Sequence, residues 1–251
     1  MREDPGRYIR SDIVDKVLLR DLPSLYGIRD VQELNRLFAM LAYNTAGEVS
    51  LDALSQGSGV SKPTIRRYLD YLEAAFLIRR IHRVDENAKR FRRATHFKIH
   101  LTTPSLRTAL FGPVDQNDDM FGAMAETALF AQWMHSSTDL YYARWPARSG
   151  MKAGEVDLVH VDARQRPNLC VEVKWSDRWA AAPDRLDGLV AFSKRHPDAK
   201  VMLTTRTARV GERPWAGSGQ ITIAPTTAYC YVLGRAAVTV RLALKSPLLR
   251  G

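Results

Sequence analysis

Two short apolar segments with charged residues at alternate positions constrain the fold most tightly. They are GEVDLVHV at 154–161 and LCVEVKW at 169–175. Because successive side chains of a strand point to opposite faces, Asp157 shares a face with Glu155, and Glu172 shares one with Lys174. Valines and leucines occupy the opposite faces. The pattern predicts two neighbouring strands on which Asp157, Glu172 and Lys174 converge.

Charged groups on otherwise apolar strands are unfavourable unless something compensates them. A divalent cation is the natural compensation, and carboxylate oxygens suit Mg²⁺ or Mn²⁺. Such an ion stabilises charge on a scissile phosphate and acidifies a bound water, which a nearby lysine can orient or deprotonate. We therefore expect Asp157, Glu172 and Lys174 to be catalytic, and the two carboxylates to bind the metal.

A helix-turn-helix pattern lies upstream, between residues 50 and 72. Ser50 and Ser61 are in N-cap positions, and a glycine-containing turn separates the two helices. The apolar stripe of the second helix leaves four residues facing outward, where they could reach DNA: Lys62, Thr64, Arg66 and Arg67.

Segments 76–84 and 95–102 then alternate like two strands around a basic loop, which predicts a wing. Three arginines of this loop are candidates for binding DNA phosphates without recognising the base sequence: Arg90, Arg92 and Arg93. Winged helices also serve as protein–protein or spacing modules, and that alternative stays open.

Charge favours a polyanionic partner, and DNA is the one expected. The net charge is +10, and residues 62–98 contain eleven basic residues against four acidic ones. A solvated face that only keeps the protein soluble is the alternative.

Several other classes are not indicated. The apolar runs are too short for a membrane span and no export signal is evident, so we expect a soluble, cytoplasmic protein. Cys170 and Cys230 lie in apolar runs and predict core thiols, not a disulfide or a zinc site. The run GSGVSKPT at 57–64 lies between two helices and departs from the phosphate-binding loop, so no nucleotide site is expected.

The predicted organisation has a connecting segment (1–29), a winged helix-turn-helix domain (30–105) and an α/β domain (106–251). In the last, we expect a central mixed sheet flanked by helices. Its predicted helices span 121–135 and 182–195, and its predicted strands span 140–145, 155–161, 168–174, 200–205 and 220–224.

This order of elements, with Asp157 and then Glu172-Val173-Lys174, resembles the PD-(D/E)XK nuclease superfamily, whose fold is that of restriction endonucleases. The resemblance adds Glu126, on the preceding helix, as a further catalytic and metal-binding acid. It implies a Mg²⁺-dependent DNA nuclease.

The chain also resembles the C-terminal region of prokaryotic AAA-like ATP-binding proteins, domain of unknown function 4143. The matching residues are Tyr8, Asp21-Leu22-Pro23, the positions Val60, Ser61, Thr64, Ile65, Tyr68, Leu69, Leu72 and Glu73, then Glu126, Gly154 to Leu158, and Glu172 to Lys174. This resemblance implies an AAA-like ATPase acting in trans, since the ATPase domain is absent from the chain.

Three interpretations of the charged cluster remain: an active nuclease, a catalytically idle DNA-binding or regulatory module, and a structural interaction domain. In the third, Glu172 and Lys174 simply form a buried ion pair. The sequence does not indicate the oligomeric state.

Overall fold

The computed structural model describes residues 5–90, 96–134, 140–150 and 152–245. Its chain divides into two compact units. We call Met1–Arg83 with Phe91–Thr127 the N-unit, and Val84–Arg90 with Ala128–Gly251 the C-unit.

The N-unit begins with helical turns and continues with helices and three strands. In chain order these are α1 (Pro5–Tyr8), two π-helical stretches (Ile9–Asp15 and Val17–Asp21), α2 (Leu22–Tyr26), α3 (Val31–Tyr43), β1 (Glu48–Ser50), α4 (Leu51–Ser58), α5 (Lys62–Ala74), β2 (Ile78–Val84), β3 (His96–Leu101) and α6 (Pro104–Phe111).

Side-chain caps fix where the N-unit helices start. Asp30 accepts the Glu33 N–H at 2.9 Å, Ser50 accepts that of Ala53 at 3.1 Å, and Ser61 accepts that of Thr64 at 3.4 Å. The apolar faces of α3 and α5 then pack into one core, which includes Phe38 and Ile65. The predicted caps and the predicted apolar stripe are both present.

The three N-unit strands pair antiparallel in the order β1–β3–β2. Val49 lies opposite Phe97, and Ile81 lies opposite Lys98. The short strand β1 was not predicted, because three residues are too few to show an alternation.

Helix α7 (Met120–Trp133) begins in the N-unit and ends in the C-unit. The remaining C-unit elements are β4 (Leu140–Trp145), β5 (Gly154–Val161), β6 (Pro167–Val173), α8 (Arg178–Ala181), a 3₁₀ turn (Pro183–Arg185), α9 (Asp187–Arg195), β7 (Lys200–Thr205), β8 (Gly211–Pro214), β9 (Gln220–Pro225) and α10 (Thr226–Lys245).

The C-unit strands form a mixed sheet in the order β4–β5–β6–β7–β9–β8. Strands β6, β7 and β9 run parallel to one another, and the other neighbours are antiparallel. Helix α9 covers one face, where Phe192 packs into a core with Val156 and Val201. The predicted α/β class, a mixed sheet flanked by helices, is therefore confirmed.

Gly188 allows α9 to lie directly against β5. A side chain at this position would place its Cβ 2.5 Å from the Glu155 carbonyl oxygen, well inside van der Waals contact. The helix predicted over 182–195 is interrupted at its start: Pro183–Arg185 form the 3₁₀ turn, and α9 begins only at Asp187. Pro183 contributes to this break, because proline cannot donate within a continuous helix.

Two C-unit elements lack a sequence signature and were missed. Strand β8 is short, exposed and ends in Pro214, and α10 is apolar around its circumference and shows no clear helical period. In the described part of the chain, no helix is long and apolar enough to cross a membrane.

Candidate active site

The register of β5 and β6 sets Asp157 against Glu172. Leu158 lies opposite Val171 and Val159 opposite Cys170, so the next pair along these antiparallel strands is Asp157 and Glu172. Both residues are only 7% exposed. Directly opposed residues of antiparallel strands share a face, so two carboxylates face the same small region.

Lys174 is the cation of this cluster. Its Nζ lies 2.6 Å from Glu172 Oε1 and 3.8 Å from Asp157 Oδ2. Its main-chain N–H donates to the Thr204 carbonyl at 2.9 Å, which extends the pairing of β6 with β7 by one residue. The structure thus brings together Asp157, Glu172 and Lys174.

Asp157 has a second bond that fixes its orientation. Its Oδ2 accepts the Val173 N–H at 2.9 Å, a charge-assisted hydrogen bond across the two strands. The carboxylate therefore cannot rotate freely, and the strand pairing determines where its other oxygen points.

The charges of the cluster suit a divalent cation. Two carboxylates lie beside one lysine ammonium in a largely buried place, where carboxylates are favoured only with positive partners. In residues 5–90, 96–134, 140–150 and 152–245, no three Asp, Glu, His or Cys side chains are grouped as a metal site. Mg²⁺ is usually held by one or two carboxylates and completes its shell with water or phosphate oxygens. The pair Asp157 and Glu172 fits that requirement.

Glu126 has partners within the N-unit. Its Oε1 lies 3.0 Å from Lys98 Nζ and 3.6 Å from His100 Nε2. Burial, and secondarily the charge of Lys98, hold the pKa of His100 well below its usual value. Sequence reasoning missed this cluster, although Lys98 and His100 stand two apart on β3 and therefore share a face.

Glu155 takes part in a surface pair. Its Oε2 lies 3.6 Å from Arg144 Nε, and the two residues are directly opposite each other on β4 and β5. An exposed pair of this kind contributes little to stability.

The candidate DNA-contacting residues of α5 differ in their surroundings. Lys62 forms an ion pair with Asp52, and the Thr64 hydroxyl lies 2.9 Å from that of Ser61. Arg66 and Arg67 are exposed on the side of α5 away from its buried stripe.

Part of the basic excess is neutralised within the N-unit. Arg80 Nη2 lies 2.6 Å from Asp70 and also pairs with Glu73, and Lys98 is buried beside Glu126. The exposed positive surface is therefore smaller than the sequence count implies.

The loop after β2 is anchored in the C-unit. Arg148 Nη1 lies 3.2 Å from Glu86 Oε1, and the Glu86 carbonyl lies 3.2 Å from His196 Nε2. The Arg90 guanidinium carbon lies 4.7 Å from the Tyr141 ring centroid. Arg92 and Arg93 lie outside the described residues.

Comparison with known protein families gives a match to the N-terminal part of the chain. Residues 1–117 match the model of a domain of unknown function, DUF8612. No curated protein matches the chain, and no solved structure matches it.

This match overturns the resemblance to domain of unknown function 4143. Tyr8, Asp21 to Pro23 and the positions from Val60 to Glu73 fall within the stretch that matches a different family. The expected AAA-like ATPase partner depended on that resemblance and has no other support. The error has a physical cause: caps and apolar stripes are what any stable helix pair requires, so they recur in unrelated families.

Proposed function

We propose that the chain is a DNA-binding protein whose C-unit hydrolyses phosphodiester bonds with Mg²⁺ or Mn²⁺ at a site of the PD-(D/E)XK type. The observation that carries this proposal is the buried, opposed pair Asp157 and Glu172 with Lys174 2.6 Å from the latter. A pair of carboxylates with a lysine at its border has the residue types that metal-assisted hydrolysis needs.

Each residue has a distinct role. Asp157 and Glu172 would each supply a carboxylate oxygen to the ion. When bound, the ion acidifies a water and stabilises charge on the phosphate. The Lys174 side chain is 29% exposed, against 9% for both carboxylates. Its ammonium is therefore the group that meets solvent, where it orients the attacking water or a phosphate oxygen.

The element order of the C-unit supports the fold part of the proposal. Helix α7, strands β4, β5 and β6, helix α9 and strand β7 follow one another as the PD-(D/E)XK resemblance implies. Glu126 on α7 is the upstream acid of that resemblance. Its ion pair with Lys98 gives it a structural role in the N-unit as well.

The N-unit supports the DNA-binding part. Its element order α3, β1, α4, α5, β2, β3, with an antiparallel sheet β1–β3–β2, supports a winged-helix assignment. In this arrangement α5 is the recognition helix, and Arg66 and Arg67 stand near its N-terminal end, where guanidinium groups suit phosphates and guanine edges.

The test is DNA cleavage by the purified chain with Mg²⁺ or Mn²⁺ on single-stranded, duplex and branched substrates. We expect Asp157→Asn, Glu172→Gln and Lys174→Met each to lower the cleavage rate by about 100-fold or more, because each removes a group that acts on the reacting phosphate or its ion. Asp187→Asn is the matched control. It removes an exposed carboxylate of the same unit, which pairs with Lys152, and should leave cleavage unchanged.

A second function follows if the cluster is only an ion-pair network. The short Lys174–Glu172 contact and the bond from Val173 to Asp157 are compatible with a catalytically idle DNA-binding module. A folded wild-type chain that binds DNA but cleaves none of these substrates with either metal would establish that alternative and refute the nuclease proposal.

A further inference from the structure

Two tryptophan–arginine pairs lie on the loops that follow β6 and β7. Trp175 comes directly after Lys174, and Arg206 directly after the last residue of β7. The Arg206 guanidinium carbon lies 6.0 Å from the Trp175 ring centroid, and that of Arg178 lies 4.9 Å from the Trp179 centroid. Since β6 and β7 are parallel, both loops leave the sheet at the same edge, the usual place for ligands in such sheets.

Asp177 ties the two loops together. Its carboxylate accepts the Thr207 N–H at 2.8 Å and the Ala208 N–H at 3.0 Å. It also accepts the Thr207 hydroxyl. These hydrogen bonds, with that of the hydroxyl first, lower the pKa of Asp177. The two loops, and with them Trp175 and Arg206, are held at a defined spacing.

Positive charge predominates on these loops. Segments 174–185 and 206–213 contain six basic residues (Lys174, Arg178, Arg185, Arg206, Arg209 and Arg213) and three acidic ones (Asp177, Asp184 and Glu212). The acidic residues all accept local hydrogen bonds: Asp184 accepts the Ala216 N–H at 2.6 Å, and Glu212 accepts the Thr222 hydroxyl at 3.3 Å. The excess of basic over acidic residues on these segments favours an anionic ligand.

The two tryptophans differ from the aromatic side chains of the core. Trp145 is 2% exposed, whereas Trp175 and Trp179 are half-buried. Among the described residues, Trp179 packs partly against the C-unit core, whereas Trp175 is not part of that core. Trp175 is thus a partly exposed ring beside Arg206 and next to Lys174 along the chain, where a ligand at this edge of the sheet can reach it.

We propose that the surface formed by Trp175, Arg178, Trp179 and Arg206, which we call the tryptophan edge, binds an unpaired DNA strand by stacking its bases. Rings and guanidinium planes can stack only on bases whose faces are open, and a duplex hides those faces. Neighbouring arginines then contact the phosphates. This inference rests on the proposed nuclease function, because it says that the DNA reaching Lys174 is single-stranded.

The test measures binding without cleavage. Fluorescence anisotropy with labelled 20-nucleotide oligo(dT) in EDTA is compared with a 20-base-pair duplex, using the full chain. We expect Trp175→Ala to weaken oligo(dT) binding about 5-fold to 100-fold, the usual range for loss of one stacking ring, and to leave duplex binding unchanged. Trp175→Phe should keep most of the affinity. Arg206→Ala should weaken binding and reduce the slope of log Kd against log salt by about 0.7.

Matched controls come from the same unit. Tyr231→Ala removes an exposed ring on α10, and Arg164→Ala removes an exposed arginine in the turn between β5 and β6. Both should bind oligo(dT) like the wild type. Thermal melting establishes that each variant is folded. If Trp175→Ala unfolds, Trp175→Phe and Arg206→Ala still decide the matter through affinity and salt slope.

The proposal is overturned if folded Trp175→Ala and Arg206→Ala bind oligo(dT) within about twofold of the wild type. Because no divalent ion is present, this outcome is independent of turnover. A protein that cleaves no DNA but still binds oligo(dT) through Trp175 would refute the proposed nuclease function. It would leave the proposed binding of single-stranded DNA at the tryptophan edge intact.

Discussion

At the scale of single residues, burial decides which ionisable groups can change charge. His100 is completely buried, between Lys98 on the same strand and Glu126 on α7. Burial removes water from the imidazolium and lowers its pKa well below 6.5. The histidine is therefore neutral in the folded protein at neutral pH.

This burial predicts acid sensitivity of the fold. Below pH 6.5 the unfolded chain takes up a proton at His100 and the folded chain does not, so stability is full above that pH and falls as the pH drops toward the folded-state pKa. The slope should approach about 1.4 kcal/mol per pH unit for this one group. Urea unfolding of wild type and His100→Gln across pH 5 to 8 measures it.

The His100→Gln variant should show a weaker pH dependence, and His82→Gln, at an exposed position of β2, should retain that of the wild type. Part of the slope will remain in both variants, because burial also lowers the pKa of His196. Equal slopes for His100→Gln and wild type would contradict the assignment.

Alternation along strands was enough to predict which residues meet at the cluster in the C-unit. Asp157, Glu172 and Lys174 stand on adjacent strands, so a two-residue period places them together. The same reasoning could not predict the partners of Glu126, because Lys98 and His100 lie on a strand far away in sequence. Lys98 was counted as surface charge for the same reason: composition does not reveal burial.

At the scale of elements, the turn between β5 and β6, together with the register shift between His160 and Val161, determines how Asp157 is aligned with Glu172. Asp162 closes this turn by accepting the N–H groups of Arg164 and Arg166 at 2.8 and 2.9 Å. Gln165 completes it with a φ of 59°, a left-handed conformation that glycine adopts more readily than glutamine.

Replacing Gln165 by glycine should therefore stabilise the protein by about 0.5–1 kcal/mol. A rise in the midpoint of chemical or thermal unfolding is the measurement. Ala163→Gly in the same turn is the control: Ala163 has no positive φ, so glycine there only adds freedom to the unfolded chain and should lower the midpoint. A fall with Gln165→Gly would show that its side chain has contacts that outweigh the backbone term.

Elements with a strong period were predicted to within a few residues, and those without one were missed. Strands β5 and β6 combine apolar alternation with length, and α5 combines a cap with an apolar stripe. Strand β8 and helix α10 have neither signal: β8 has only four residues and is mostly exposed, and α10 has no clear apolar stripe. The 3₁₀ turn at Pro183–Arg185 delays the start of α9, and the apolar period of residues 182–195 did not indicate it.

At the scale of the whole molecule, the sequence gives the amount of basic charge but not the positions where that charge is exposed. The net charge of +10 is a matter of composition. Ion pairs such as Arg80 with Asp70 and Lys62 with Asp52 neutralise part of this charge. Only the structure shows which arginines remain exposed.

Arg66 and Arg67 are the exposed pair on α5, and their joint replacement by alanine should weaken duplex DNA binding and reduce the slope of log Kd against log salt by about two. A salt titration of duplex affinity by anisotropy measures this slope. Arg29→Ala with Arg36→Ala removes the same charge from exposed positions flanking and within α3 and should change the slope little. Equal effects of the two double variants would mean that net charge alone drives binding.

The short turn at Asp162 also has a kinetic meaning. Asp157 and Glu172 are separated by fifteen positions within one hairpin, so the entropy lost in bringing them together is small compared with that of the parallel pairing of β6 with β7. The hairpin can close early in folding, with Lys174 beside Glu172 while the rest of the sheet is still open. We expect this order of closure to place the lysine ammonium beside the two opposed carboxylates before the rest of the sheet buries them.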